Sequence, residues 1–276
     1  MKDFWLWWQY LPQKLSPYLL KTEYFSLHYY GLMYVVAFSA IFALLVYRVK
    51  TENYDYDIET LLDFLIWAIL GTIIGGRLGY VIFYNPIYYL SAPLEIISPF
   101  KMTEEGIKLV GIKGMSYHGG LIGVITSTYL FTKKKKVDFW KFADFLVPTI
   151  PLGYMFGRIG NFINGELVGR ITNKPWGVYF SKTANQLRHP SQIYEAATEG
   201  LVLFMILWYL RKRDIFDGWL VCLYIFGYGI ARFTVEYFRR PDPHLGFIFF
   251  GLTMGQFLSI LMLIGGVTLY YDLKDK

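Results

Sequence analysis

Long apolar runs alternate with short charged connections over almost the whole chain. A helix crosses a bilayer in about 20 mostly apolar residues, and runs of that order fall at 29–47, 61–84, 142–164, 193–210, 219–238 and 245–271. A shorter run covers 119–132, and reaches spanning length only if residues before His118 belong to it. The pattern predicts an all-α polytopic membrane protein of about seven transmembrane helices, forming a single integral membrane domain. An odd number of spans places the termini on opposite sides. No internal repeat is visible, and the lysines at 133–136 are the one low-complexity tract.

Composition agrees with the pattern. Of 276 residues 55% are hydrophobic and 17% charged, more apolar than a soluble domain requires. The net charge of +6 does not point to nucleic acid, because the basic residues are dispersed into connections instead of lining one face. They act as topology signals. Arg48, Lys50, Lys133 to Lys136, Lys141, Arg211 to Arg213, Lys274 and Lys276 lie close to span ends, which makes that face cytoplasmic. As many positive charges on the other side are spread over the N-terminal segment, the long loops at 85–117 and 165–191, and Arg239 with Arg240. The expectation is a plasma-membrane protein with its N-terminus outside and its C-terminus cytoplasmic. Trp5, Trp7, Trp8, Pro12 and Pro17 interrupt the first 24 residues, so that stretch reads as an interfacial aromatic segment, not a cleavable signal. Cys222, the single cysteine, sits in an apolar run and reads as a small buried thiol.

Charged groups at membrane depth are costly unless paired or wetted, and so mark function. Arg77, Arg158 and Arg232 fall inside apolar runs, each toward the outer end of its span. One such arginine can snorkel to the headgroups. Three at one level, beside other polar groups, point to a shared site. Arg158, Asn161 and Gly165 share one helical face, while Gly153, Gly157 and Gly160 form a small-residue stripe for a close neighbour. Asn164 and Gly165 also suit a helix C-cap, which explains the helix end but neither Arg158 nor Asn161. Tyr228, Arg232 and Glu236 recur every fourth residue, so Arg232 and Glu236 can pair, either as a self-neutralising couple or as part of a site. Gln192, Glu195 and Glu199 form an acidic stripe that can answer the arginines.

Before the third run stands Ser116-Tyr117-His118-Gly119-Gly120. Its glycine amides at a helix start suit an anion, and His118 can move a proton near neutral pH or serve as a hydrogen-bonded structural residue. Gly71, Gly75 and Gly79 read as helix packing, leaving Arg77 as the group that wants an anion. Tyr30 lies in an aromatic belt at the start of the first run. His28, His118, His189 and His244 have no metal-ligand spacing, and no zinc, nucleotide or serine-elbow motif occurs in a supporting context. No metal and no cofactor is expected. Arginines suit phosphate, and a membrane protein meeting phosphate at that depth meets a phospholipid headgroup most economically.

The segments His118-Gly119-Gly120, 157–166, 189–195 and 232–242 resemble, in that order, the prolipoprotein diacylglyceryl transferases, with a match over nearly the whole chain. The resemblance implies a seven-span bacterial inner-membrane enzyme. It would move the diacylglyceryl group of phosphatidylglycerol onto the lipobox cysteine thiol in the signal peptide of a preprolipoprotein, forming a thioether and releasing glycerol phosphate. The family's functional positions fall on Tyr30, His118, Arg158, Asn161, Gly169, Tyr228, Arg232 and Glu236, and the loop 165–191 becomes a small periplasmic head over the site. On that chemistry Arg158 and Arg232 take the phosphate, Asn161 and Tyr228 orient it, and His118 is either the base or a lipid-positioning group. Glu236 would hold Arg232, and Glu166 would hold Arg158. Tyr30, Arg77, Gly119, Gly120 and Gly169 complete the expected substrate-binding set. A lipid or small-anion transporter also needs intramembrane arginines and broken helices, but the missing repeat counts against it. A purely structural subunit leaves polar residues at one depth in five spans unexplained.

Overall fold

A computed structural model describes residues 2–22, 26–52, 54–98, 100–103, 106–109, 114–181, 183, 185–241 and 246–275. Asp242, His244 and Leu245, the expected start of the seventh span, lie outside the described residues. Along the chain run α1 (Lys2–Lys14), β1 (Tyr18–Lys21), β2 (Ser26–His28), α2 (Tyr29–Thr51), α3 (Ile58–Tyr84), α4 (Pro86–Ser91), β3 (Phe100–Thr103), β4 (Gly106–Leu109), α5 (Tyr117–Lys135), α6 (Phe139–Leu146), α7 (Ile150–Asn164), β5 (Val178–Tyr179), β6 (Leu187–Arg188), α8 (Ser191–Glu195), α9 (Leu203–Leu210), α10 (Trp219–Val235) and α11 (Met254–Lys274). A π-helical stretch, Ala196–Val202, joins α8 to α9. The strands form three two-stranded antiparallel hairpins.

The protein is a mostly helical, multi-pass membrane protein. Among the described residues, four helices are long and apolar enough to cross a bilayer: Tyr29–Thr51, Ile58–Tyr84, the continuous Ser191–Leu210, and Met254–Lys274. Trp219–Val235 is apolar but shorter. Helix ends shift from the hydropathy pattern at several places, and two of the shifts have a clear local cause. The third run gains its length at the other end, because α5 continues through Lys133, Lys134 and Lys135 until Lys136 adopts a left-handed conformation (φ 57°). The last helix begins only at Met254, where Thr253 and Gln256 form a reciprocal capping box that fixes the start.

Two compact units make up the fold, Met1–Tyr54 with Ala143–Lys276, and Asp55–Phe142. In the first, Val147, Leu203, Leu207 and Leu220 form a buried core flanked by Trp219, Tyr224 and Tyr228. A second core of Phe162, Val178 and Phe180, joined by Trp8 and Val168, ties the end of α7 to β5 and α1. Trp8 Nε1 donates to the Trp176 carbonyl at 2.8 Å, so α1 is fastened to the 165–191 segment. Where Gly218 leaves α10 without a local side-chain cap, Asp144 supplies one, accepting from Gly218 N at 2.8 Å and Val221 N at 3.0 Å.

In the second unit α3 packs on α5 through the glycine stripe. A Cβ on Gly75 would stand 2.4 Å from the Gly119 carbonyl, and one on Gly119 2.4 Å from the Gly75 carbonyl. Only hydrogen fits between the two backbones there. Phe64, Phe131 and Phe142 close the far end of the same unit in mutual ring contact.

Candidate active site

Three elements of the first unit bring the charged groups together. From α7 come Tyr154, Arg158 and Asn161, from α8 and the π-helical stretch Glu195 and Glu199, and from α10 and its C-terminal turn Tyr228, Arg232, Glu236 and Arg239. The π-helical form is uncommon and is frequent at functional sites.

Glu195 is the hub. Its Oε2 lies 3.0 Å from Arg158 Nε and 3.2 Å from Arg232 Nη1, and its Oε1 lies 2.9 Å from Arg239 Nη1. Arg232 is also 3.3 Å from Glu236 Oε1, and Arg239 Nε lies 3.9 Å from the same oxygen. The Tyr154 hydroxyl donates to Glu199 and stands 3.3 Å from Glu195 Oε2. Arg158 lies over the Tyr154 ring at 4.6 Å and donates from Nη1 to Asn161 Oδ1 at 3.2 Å. Tyr228 meets the Tyr154 ring edge-on at 5.8 Å.

Three guanidinium groups are thus set against three carboxylates. Burial is unequal: the side chains of Glu195 and Glu199 are fully buried, whereas those of Arg158 and Arg232 keep 16% of their surface exposed. The acids stand behind and the arginines in front. A guanidinium carries five N–H donors in a rigid fork, more than these contacts use, so the exposed side can still receive an anion.

Gly169 holds the far end of this lattice. Its N–H donates to the His189 carbonyl at 3.1 Å, and a Cβ there would stand 2.3 Å from that oxygen and 2.7 Å from the Phe238 carbonyl. A side chain is excluded by contact. Next to it, Arg170 donates from its backbone to Phe238 O at 2.8 Å and from its side chain to the carbonyls of Arg239 and Glu236 at 2.9 and 3.2 Å. This fixes the turn that carries Arg239 to Glu195. His189, in the same segment, has its Nδ1 3.1 Å from the Tyr194 hydroxyl, and burial, with Lys174 adding to it, pushes its imidazole below the ordinary value.

Several expected residues stand elsewhere or act differently. Glu166 does not pair with Arg158: it is exposed, its carbonyl accepts from Gln192 Nε2, and the partner of Arg158 is Glu195. Gly119 and Gly120 do not offer free amides, because Ser116 accepts from Gly119 N through its hydroxyl at 3.2 Å and from Gly120 N through its carbonyl at 2.9 Å. Both glycines are buried in the α3–α5 crossing. Arg77 is 7% exposed and donates to the carbonyls of Ile96, Gly114 and Glu95 at 2.7, 3.3 and 2.6 Å. These contacts make it a clamp on the loop after α4. His118 is exposed in the first turn of α5, its ring edge-on to Tyr117 at 5.6 Å. Tyr30 bonds Tyr34 through the hydroxyls at 2.9 Å, and its ring borders Gly160 of α7.

The sequence pattern passed over Tyr154 and Arg239. Tyr154 stands four residues before Arg158 and Arg239 three after Glu236, spacings that place each beside a recognised charge. In the sequence Arg239 looks like a loop charge, and only the turn held by Arg170 brings it inward.

Fold and site together define a multi-pass membrane protein that gathers an arginine–carboxylate lattice among its helices. The family model described as prolipoprotein diacylglyceryl transferase matches residues 17–271. The phosphatidylglycerol–prolipoprotein diacylglyceryl transferase of Chlorobaculum tepidum is 47% identical over 277 residues, covering 100% of this chain and 96% of its own. Those of Campylobacter curvus and Wolinella succinogenes are 44% and 42% identical, each over 98% of this chain and over 98% and 97% of their own lengths. The chain belongs to the prolipoprotein diacylglyceryl transferase family.

Proposed function

We propose that this chain transfers the diacylglyceryl group of phosphatidylglycerol to the lipobox cysteine thiol of preprolipoproteins, the first step of bacterial lipoprotein maturation. The observation that carries the reading is the set of partly exposed guanidinium groups of Arg158 and Arg232 backed by fully buried Glu195. The cysteine thiolate attacks the glyceryl carbon, a carbon–sulfur bond forms, and the carbon–oxygen bond to phosphate breaks with its electron pair leaving on glycerol phosphate. Negative charge on the phosphate rises along this path, and preorganised cations facing it lower the barrier. Arg158 and Arg232 take that charge, Asn161 fixes the fork of Arg158, Glu236 fixes that of Arg232, and Tyr228 orients the headgroup. The thiol gives up its proton before attack, to His118 if that residue is the base and to water if it only positions lipid.

Seven crossings, with α5 and the stretch from α6 through α7 added to the apolar helices, place the lattice near the outer leaflet. The N-terminus and the 165–191 head then face outward and the C-terminus is cytoplasmic, consistent with the lysines and arginines at span ends. The test is purified protein in detergent with phosphatidylglycerol and a lipobox peptide, following glycerol phosphate release and the mass of the peptide. Release that requires the peptide cysteine, and a peptide heavier by one diacylglyceryl group, are expected. Chemically intact phosphatidylglycerol in the presence of folded protein would contradict the transferase and favour a carrier. Replacement His118→Gln, expected to slow release without abolishing lipid binding, separates a base from a positioning role.

A further inference from the structure

Tyr154 has no part in the chemistry above, yet it touches several members of the lattice. Its ring supports Arg158 at 4.6 Å and meets Tyr228 at 5.8 Å, and its hydroxyl donates to Glu199. The other oxygen of Glu199, Oε1, is buried and has no hydrogen-bond partner among the described residues. It lies 3.9 Å from Arg232 Nη1, beyond hydrogen-bond reach. A charge-assisted bond to a guanidinium is stronger than one to a phenol, so a carboxylate free to turn would close on Arg232.

We infer that Tyr154 is a positioning residue whose hydroxyl tethers Glu199 away from Arg232, leaving that arginine available to the departing phosphate. The inference rests on the transferase reading of the same site. Without the hydroxyl, Glu199 competes with the phosphate for Arg232, and the competition is most costly where phosphate charge is greatest, in the transition state. The ring is a separate matter, since Tyr154→Phe keeps the face on which Arg158 lies.

The experiment is a double-mutant cycle on the full-length protein in detergent, with phosphatidylglycerol and a lipobox peptide. Tyr154→Phe is expected to lower kcat about tenfold, with a smaller change in KM for the lipid. In a Glu199→Gln background, where no carboxylate can capture Arg232, the same replacement is expected to cost less than about twofold. Equal losses in both backgrounds would overturn the inference, as would full activity of Tyr154→Phe alone. If Tyr154→Phe fails to fold, recovery of folded protein by adding Glu199→Gln supports the tether, because the released carboxylate is then the cause. Failure of both to fold makes Tyr154 a packing residue and ends the proposal. Wild-type protein that releases no glycerol phosphate would instead sink the transferase reading.

Discussion

Glu195 accepts three arginines at once while wholly buried, so its removal leaves cations facing one another with one carboxylate fewer between them. Breaking a buried ion pair from one side costs about 3–5 kcal/mol. Glu195→Ala is therefore expected to lower the thermal midpoint strongly and abolish turnover, whereas Glu166→Ala, at an exposed side chain, is expected to leave the midpoint within about 1 °C of wild type. Differential scanning of the two detergent-solubilised variants checks this, and equal effects would refute the assignment of Glu195 as the partner of Arg158. Gly169 makes a steric prediction. Its carbonyl neighbours at 2.3 and 2.7 Å from a built Cβ are both backbone and cannot swing aside, so Gly169→Ala should cost about 1–3 kcal/mol and displace Arg239, with activity lost further than stability. Arg158, Arg232 and Glu236 were legible in the sequence because charged groups inside apolar runs are conspicuous. The pairing of Arg158 was not, because Glu166 is near in sequence while Glu195 is near only in the fold.

Among the elements, α10 depends on a distant side chain for its start, since Gly218 at φ 95° has none to offer and Asp144 bonds the first amides instead. Loss of an N-cap costs about 0.5–2 kcal/mol. Asp144→Ala is thus expected to lower the thermal midpoint, and Asp144→Asn, which keeps an acceptor, to lower it less; the reverse order would contradict the capping role. The 165–191 segment carries a pH dependence through His189. Its folded value lies below the unfolded 6.5, so the unfolded chain binds the proton first as pH falls. The stability associated with a neutral His189 is complete above 6.5 and declines as pH drops from there toward the lower folded value. His189→Gln should flatten that part of the pH–midpoint curve. The long apolar helices followed from run length, but α1 did not, nor did two boundaries. A lysine-ended α5 and a capped start of α11 are set by local hydrogen bonds that mean hydropathy does not register.

At the scale of the whole molecule, long apolar helices suit a bilayer, and the charge lattice is gathered within one unit by α7, the α8 stretch and α10. The glycine stripe read as helix packing does pack, and it also accounts for Gly119 and Gly120, whose amides are capped by Ser116. Arg158, Arg232 and Glu236 stand together as their spacing suggests, but Arg77 and Glu166 are wired differently, since helical spacing shows which residues share a face and not which face meets which.

The proposed transfer depends on Arg158 and Arg232 stabilising the phosphate that leaves. The most direct measurement is single-turnover formation of lipidated peptide by wild type, Arg158→Lys and Arg158→Ala, each shown folded by its thermal midpoint. A lysine keeps the charge but not the fork that holds both Glu195 and Asn161, so the predicted order is wild type, then lysine, then alanine, with alanine down by about 10²-fold or more. Folded Arg158→Ala that forms product at close to the wild-type rate would contradict it.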